Sequence, residues 1–399
     1  MTSTKKDPVL VVFQLSGGND YLNTVIPYAD PIYRDARPTV GIADERVIKI
    51  DDKIGFHPEM GPLKNVYDRG DMAIIHGIGY PKSPRSHFRS MDIWHTCEPI
   101  QLGTEGWLGR ATRDLDPTKE NVLTTVSFGP SLFRALALPG TPVAVVDDLD
   151  NYGLLTGITE NEQRSKILDR FARMYSPAIG SSAVMDYLGQ TGLDTLEGAD
   201  ILNKAPGMYS STVEYPDTSI AKKLKGIAQV HMANFGTRIF YVDHGSFDSH
   251  SNQNGMADKL WKDVSEGLSA FLEDLREHDM GDNVSVLMFT EFGRRTHDNG
   301  SGTDHGAGGA AFMFGEGIKG GQYSEFPSMK SEDLEQGDVV PNYDFRGLYT
   351  TVLEDWMGLD GKPIVDGSFE KLGILHHLHS EECWNSVCFT NLQGHCMLR

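Results

Sequence analysis

The chain has 399 residues, 39% hydrophobic and 9% aromatic, which is enough apolar material for a sizeable core and excludes disorder as its main state. Its 36 basic and 56 acidic residues give a formal net charge of −20. An acidic surface repels phosphate backbones and anionic lipids, which argues against nucleic-acid and membrane partners and favours divalent cations. No apolar run approaches the about 18 residues of a membrane span, and no signal sequence is apparent. The sequence as written therefore predicts a cytoplasmic protein, or a periplasmic or secreted one if an export signal was removed.

Short, almost continuously apolar runs alternate along the chain with amphipathic helical patterns. Runs that predict strands lie at Val9–Leu15, Met72–His76, Val143–Val146, Arg238–Val242, Val284–Phe289 and Ala310–Phe314. Stripes that predict helices lie at Ile167–Met174, Ile220–His231, Met256–Leu275 and Phe345–Trp356. Apolar strands that alternate with helices are typical of an α/β fold, in which a mainly parallel sheet carries helices on both faces.

The domain organisation is predicted to be simple. No linker or internal repeat divides the chain, so we expect residues 1–375 to form a single domain, with residues 176–216 as a cap or loop excursion. Residues 376–399 differ in composition, with four histidines and three cysteines. Their spacing matches no familiar zinc module, and the interpretation as a variable tail is favoured over a metal site.

Acidic, imidazole and guanidinium side chains collect next to the predicted strands. Open α/β sheets bind ligands beyond the carboxyl ends of their strands, so these residues are candidates for one site. Asp248 and His250 are two residues apart, and in an extended segment both can reach the same ion. Carboxylates and imidazoles together predict a divalent metal ion, with Zn, Mn, Mg and Ca all open. The candidates are Asp20, Asp248, His250, Glu291, Arg294 and His305.

A second candidate segment begins at Ser86 and His87, where a helical stretch follows the strand Met72–His76. Ser86 suits the N-cap of that helix, and helix N-termini bind anions. Its hydroxyl is therefore either a nucleophile held beside a metal or a capping group only. Arg294 offers a donor fork for phosphate or sulfate, with a surface ion pair as the alternative.

Several of these segments together resemble one protein family. They are Leu15–Asn23, Gly77–Phe88 with Met91–Trp94, Phe247–His250 with Gln253, and Thr290–Arg294 with Asp304 and His305. The chain resembles the bacterial family called domain of unknown function 1501, in the alkaline phosphatase/sulfatase superfamily, from about Pro8 to about Gly373. The resemblance implies an alkaline-phosphatase-like fold.

The resemblance also implies roles for the candidate residues. Asp248, His250 and His305 would resemble one metal position, and Asp20 and Glu291 the other. Ser86, or less readily His87, would resemble the nucleophile. The superfamily usually has an Asp-His pair where this chain has Glu291-Phe292, so the second metal position lacks a histidine.

Two functions are compatible with this pattern. The first is a metal-dependent hydrolase of small anionic phosphate or sulfate esters, which would use a hydroxyl or a metal-bound water as nucleophile and Arg294 to stabilise the developing charge. The alternative is a non-catalytic accessory protein that binds a metal or an anion on the same fold. The retained Asp248, His250, His305 and Ser86 favour the enzyme, whereas the missing histidine favours the accessory protein.

Overall fold

The computed structural model describes residues 6–149 and 183–376, together with the helical residues Gln163, Lys166, Ile167, Asp169, Arg170 and Arg173. Its strands are β1 (Val9–Leu15), β2 (Val25–Ile26), β3 (Ile48–Lys49), β4 (Gly55–Phe56), β5 (Met72–Gly79), β6 (Thr125–Phe128), β7 (Ala144–Val146), β8 (Ile239–His244), β9 (Val284–Phe289), β10 (Gly309–Phe314), β11 (Gly321–Tyr323) and β12 (Tyr343–Asp344). Each of the six predicted strands is present.

Helices lie between many of the strands along the chain. They are α1 (Tyr21–Thr24), α2 (Pro31–Ala36), α3 (Gly61–Asp68), α4 (His87–Thr96), α5 (Trp107–Leu115), α6 (Ala183–Leu202), α7 (Ser219–Met232), α8 (Gln253–Glu277), α9 (Phe345–Thr351), a π-helical turn (Val352–Trp356) and α10 (Gly361–Val365). Among the described residues, no helix is long and apolar enough to cross a membrane.

A nine-stranded sheet forms the centre of the molecule. Its order is β11–β5–β10–β9–β1–β8–β6–β7, and β12 also pairs with β5. The pairings of β1 with β8 and β9, and of β6 with β7 and β8, are parallel. Only β10 runs antiparallel to its neighbours β5 and β9 within the described sheet. The prediction of a mainly parallel sheet is therefore confirmed. Strands β2, β4 and β3 form a small separate sheet.

The core lies on both faces of this sheet because the side chains of its strands alternate. In β1, Val9, Val11 and Phe13 join the cluster that contains apolar residues of α3, α7 and α8. Leu10 and Val12 join the opposite cluster, which contains residues of α4, α5, α9 and α10. Helices thus cover both faces, as predicted, and the strand ends are left to form the loops of the candidate site.

Some predictions fall partly or wholly outside the described residues. The tail from residue 377 onward and the stripe residues Phe171 and Met174 are among these. Within the predicted excursion at 176–216, the part from Ala183 to Leu202 is helix α6. The assignment of residues 1–375 to a single domain stays a prediction.

Candidate metal centre

The candidate site lies at the carboxyl edge of the sheet, where the loops after β1, β8 and β9 meet. The antiparallel direction of β10 brings the residues just before it, Asp304 and His305, to the same edge. Gly17 permits this convergence: its φ is +122°, and a Cβ atom there would lie 2.5 Å from the backbone nitrogen of Asp248. Only glycine fits such a position without displacing backbone.

The structure brings together Asp248, His250 and His305, and their assignment to one metal position stays a prediction. The Nε2 atoms of the two histidines lie 3.0 Å apart. Asp248 Oδ1 lies 3.1 Å from Nε2 of His250 and 3.2 Å from Nε2 of His305. Two ligand atoms that each lie about 2.1 Å from one ion are separated by about 3.0 to 3.4 Å, depending on whether the coordination is octahedral or tetrahedral. The three atoms therefore have the spacing that one divalent ion requires.

The outer nitrogens of both rings are fixed by acceptors. His305 Nδ1 donates to the carbonyl of Arg85 at 2.9 Å, and His250 Nδ1 lies 3.1 Å from Oδ1 of Asp304. With the proton on Nδ1, the neutral ring presents the lone pair of Nε2 to the centre. Histidine ligands in metal sites are usually oriented in this way.

Asp248 is held in its ionised form. Partial burial raises its pKa, but the hydrogen bond and charge of Arg294, together with the contact to His305, outweigh burial and bring the pKa to about 2. Arg294 Nη2 donates to Asp248 Oδ1 at 2.7 Å. A carboxylate in this state is the form that binds a cation.

His87 also reaches this centre, at the first position of α4. Its Nε2 lies 3.3 Å from Asp248 Oδ2, and single donor atoms of His87, Asp248 and His305 all lie within 4.8 Å of one another. Its Nδ1 lies 2.8 Å from Glu291 Oε1, and this hydrogen bond raises the pKa of His87. The sequence presented His87 as the less favoured nucleophile, and nothing in its pattern indicated this contact.

Glu291 lies behind His87. It is only 2% exposed, and it accepts hydrogen bonds from the backbone nitrogen of Gly17 at 2.9 Å and from the Thr290 hydroxyl at 3.0 Å. With His87 as the third partner, both carboxylate oxygens are occupied by donors of the protein. This arrangement differs from the expectation that Glu291 binds a metal directly.

Asp20 is likewise engaged elsewhere. Both of its oxygens pair with the guanidinium of Arg37, which donates to Oδ1 at 2.9 Å, and Gln253 donates to Oδ2. Arg37 is itself buried and also donates to the carbonyls of Arg295 and Thr296. The guanidinium of Arg37 therefore already neutralises Asp20, and the second metal position at Asp20 and Glu291 stays a prediction.

Arg294 is fully buried beneath the centre. Besides Asp248, it donates to the carbonyls of Gly17, Gly18, Thr303 and Phe247. These bonds connect three loops of the site. Because they occupy most of its donors, we interpret Arg294 as a residue that positions Asp248 rather than one that contacts an ester in the transition state.

Ser86 occupies the N-cap position of α4, as predicted. Its backbone is extended, and its side chain makes no capping hydrogen bond. The N–H groups of the first turn of α4 are therefore not satisfied by this hydroxyl, and a helix N-terminus in this state can bind an anion. The capping-only alternative for Ser86 is not supported by this geometry.

Phe292 is a site residue that sequence reasoning treated only as a missing histidine. Its ring is 2% exposed, and its centroid lies 4.9 Å from those of both His87 and His305. It therefore forms an apolar support beneath the two imidazoles. Asp304 was also not assigned, although its place directly before His305 could have indicated a role.

Comparison with protein families gives one match that covers most of the chain. The model of the family described as "Protein of unknown function (DUF1501)" matches residues 7–367. This result agrees with the resemblance noted from the sequence. No curated protein matches the chain significantly.

Solved structures with similar folds share little sequence with this chain. The C-terminal periplasmic domain of EcEptC from Escherichia coli, in complex with Zn, is 9% identical over 90% of this chain and 84% of that one, with a TM-score of 0.39. The PsFucS1 sulfatase from Pseudoalteromonas sp. is 11% identical over 92% of this chain and 71% of that one, with a TM-score of 0.40. The lipoteichoic acid synthase LtaP from Listeria monocytogenes is 9% identical over 84% and 74%, with a TM-score of 0.33.

Proposed function

Because the chain belongs to the DUF1501 family, whose function is unknown, we propose an activity from its own site: metal-dependent hydrolysis of phosphate or sulfate esters. The observation that carries this proposal is the convergence of Asp248 Oδ1, His250 Nε2 and His305 Nε2 at 3.0 to 3.2 Å from one another. Three acceptor atoms this close repel one another unless a cation or extra protons lie between them.

The electrostatics of the site also favour a cation. Three carboxylates lie at the centre or against its histidines, and they bring three negative charges: Asp248, Asp304 and Glu291. Arg294 brings one positive charge. An anionic ester would be repelled by this set. A divalent ion held by Asp248, His250 and His305 would cancel this excess negative charge and remove the repulsion.

The residues around the centre suit an ester anion. Such an ion, when bound, supplies Lewis acidity that polarises the ester and lowers the pKa of a nucleophile. The uncapped first turn of α4 would bind oxygens of the phosphoryl or sulfuryl group. Ser86, at the start of that turn, would form the new bond to phosphorus or sulfur as the bond to the ester oxygen breaks, and its proton would pass to the departing oxygen. Water would then cleave the seryl ester, restoring the serine hydroxyl and releasing phosphate or sulfate.

The test begins with protein stripped of metal by a chelator. Turnover of an aryl phosphate monoester, an aryl phosphate diester and an aryl sulfate is measured after adding Zn, Mn, Mg or Ca. We expect activity with at least one combination, and its loss together with bound metal in Asp248→Asn. Asp114→Asn, which changes a carboxylate of α5 that is paired with Arg113, is the control and should keep both.

Ser86→Ala tests whether Ser86 is the nucleophile, separately from metal binding. Loss of turnover with unchanged metal content would support Ser86 as the nucleophile, and full activity would exclude it. Protein that binds metal but hydrolyses none of the esters would contradict the hydrolase assignment and favour the accessory protein that binds a metal or anion. Protein that binds no divalent metal would contradict both.

A further inference from the structure

We propose that His87 is a fourth protein ligand of the metal centre, and that Glu291 orients His87 instead of binding the ion. This inference rests on the metal centre of the proposed function, but not on ester hydrolysis. It changes the expected donor set from one carboxylate and two imidazoles to one carboxylate and three imidazoles.

The first argument is a pattern shared by three histidines. His250, His305 and His87 each place Nδ1 at 2.8 to 3.1 Å from an oxygen acceptor. These acceptors are the Asp304 carboxylate, the Arg85 carbonyl and the Glu291 carboxylate, respectively. Each ring is thereby held with Nε2 towards Asp248, which is the arrangement that orients imidazole ligands in metal sites.

The second argument concerns Nε2 of His87. This atom is buried and makes no hydrogen bond, although it lies 3.3 Å from Asp248 Oδ2. The ion pair with Asp248 leaves this buried nitrogen without a hydrogen bond, and an ion bound beside the carboxylate would satisfy it. The other oxygen of Asp248 faces His250 and His305, so the carboxylate has a histidine nitrogen near each of its oxygens.

The third argument is that three neighbours hold the ring of His87. Phe292 packs against it at a centroid distance of 4.9 Å, and His305 meets it edge to face at 4.2 Å. Glu291 fixes Nδ1 and has no oxygen left for an ion, since Gly17 and Thr290 also donate to it. The position of His87 is therefore prearranged, and Glu291 contributes to the centre only through His87.

This donor set constrains the metal. Imidazole ligands suit transition metals such as Zn, Fe and Mn better than Mg or Ca, which prefer oxygen ligands. Four protein ligands close a tetrahedral site, whereas an ion that accepts five or six ligands keeps a position for substrate. If the proposed function also holds, Mn should therefore support turnover better than Zn.

The experiment uses Co²⁺ as a probe, because its visible absorption reports the number and type of its ligands. Metal-stripped full-length protein is titrated with Co²⁺ against a competing chelator, for wild type, His87→Gln, Glu291→Gln and the exposed-histidine control His297→Gln. Glu291→Gln should weaken affinity by about 10- to 100-fold with a spectrum of the same type. His87→Gln should weaken it further and change the spectrum, and His297→Gln should behave as wild type.

Two results would overturn the inference. One is a His87→Gln protein that binds Co²⁺ with wild-type affinity and spectrum, which would remove His87 from the ligand set. The other is a Glu291→Gln protein with an altered spectrum and an affinity below that of His87→Gln, which would make Glu291 the ligand. Circular dichroism of each metal-free variant checks folding, and His87→Ala replaces His87→Gln if the latter fails to fold. None of these measurements uses an ester, so failure of the inference on His87 can be distinguished from failure of the hydrolase assignment.

Discussion

Gly18 shows how a single residue supports the centre. Its φ is +70°, and a Cβ atom there would lie 2.3 Å from Cε2 of Phe292. Phe292 in turn packs beneath the rings of His87 and His305. A side chain at position 18 would therefore displace the aromatic support of two imidazoles, in addition to straining the backbone.

We expect Gly18→Ala to lower the free energy of unfolding by about 2 to 4 kcal/mol, from left-handed strain and forced movement of a packed ring. Gly70→Ala is the matched control: its φ is +86°, but a Cβ atom there meets nothing within 4 Å. Urea denaturation of both metal-free variants measures the difference, and a metal titration should show weakened affinity only for Gly18→Ala. Equal losses of stability in the two variants would show that contact with Phe292 is unimportant.

The sequence predicted part of the centre because part of it is encoded locally. Asp248 and His250 are two residues apart in a strand-end loop, and His305 precedes a strand, so their positions follow from short patterns. The partners of Asp20 do not follow from short patterns, since Arg37 lies 17 residues away and Gln253 lies 233 residues away in sequence. Apolar patterns give no information on which guanidinium folds back onto which carboxylate.

At the scale of elements, local apolar patterns locate the strands but do not determine their direction. Continuous apolar runs located all six predicted strands of the sheet, because burial on both faces leaves this signature. They could not indicate that β10 runs antiparallel between β5 and β9. That reversal places the residues before β10 at the carboxyl edge, and it therefore completes the candidate metal centre.

The C-terminal end of α8 contains an ionic contact that the sequence did not indicate. His278 Nδ1 lies 2.8 Å from the carbonyl of Asp274, and its Nε2 lies 2.8 Å from the carbonyl of Ser210. Carbonyl oxygens only accept hydrogen bonds, so both ring nitrogens carry protons and the imidazole is charged. These hydrogen bonds, with the nearby charges of Asp274 and Glu277, raise the pKa of His278. The charged ring ties the segment that precedes α7 to the end of α8.

This contact gives stability a defined dependence on pH. A group whose pKa is raised on folding stabilises fully below its unfolded pKa of about 6.5, and this stabilisation is lost as pH rises through the folded pKa. We expect the difference in free energy of unfolding between wild type and His278→Ala to be larger at pH 6 than at pH 9. Urea denaturation at both values measures it, with His297→Gln as an exposed control that should show little change. A difference that does not depend on pH would contradict the charged state.

At the scale of the whole molecule, buried histidines and the net charge change the stability in opposite directions as the pH falls. Burial lowers the pKa of His57, His76 and His231 to about 4, and that of His95 to about 3. Their unfolded pKa is about 6.5, so unfolding takes up protons below that pH. The acidic surface acts in the other direction, because its charge of −20 declines towards the pI of about 5.0 and repulsion weakens.

We expect the effect of the histidines on stability to exceed that of the surface charge. Each can lower the free energy of unfolding by up to about 1.4 kcal/mol per pH unit once unfolding takes up a whole proton. A lowered folded pKa gives stability that is complete above pH 6.5 and is lost as pH falls towards 4. The Tm should therefore fall between pH 6.5 and pH 5, even as the net charge approaches zero. His95→Gln replaces a ring that contacts Gln14 and the Tyr241 hydroxyl. It should lower the number of protons taken up on unfolding by up to one, and so weaken the dependence of Tm on pH, whereas His297→Gln should not. A Tm that stays constant or rises down to pH 5 would show that surface charge outweighs the buried imidazoles.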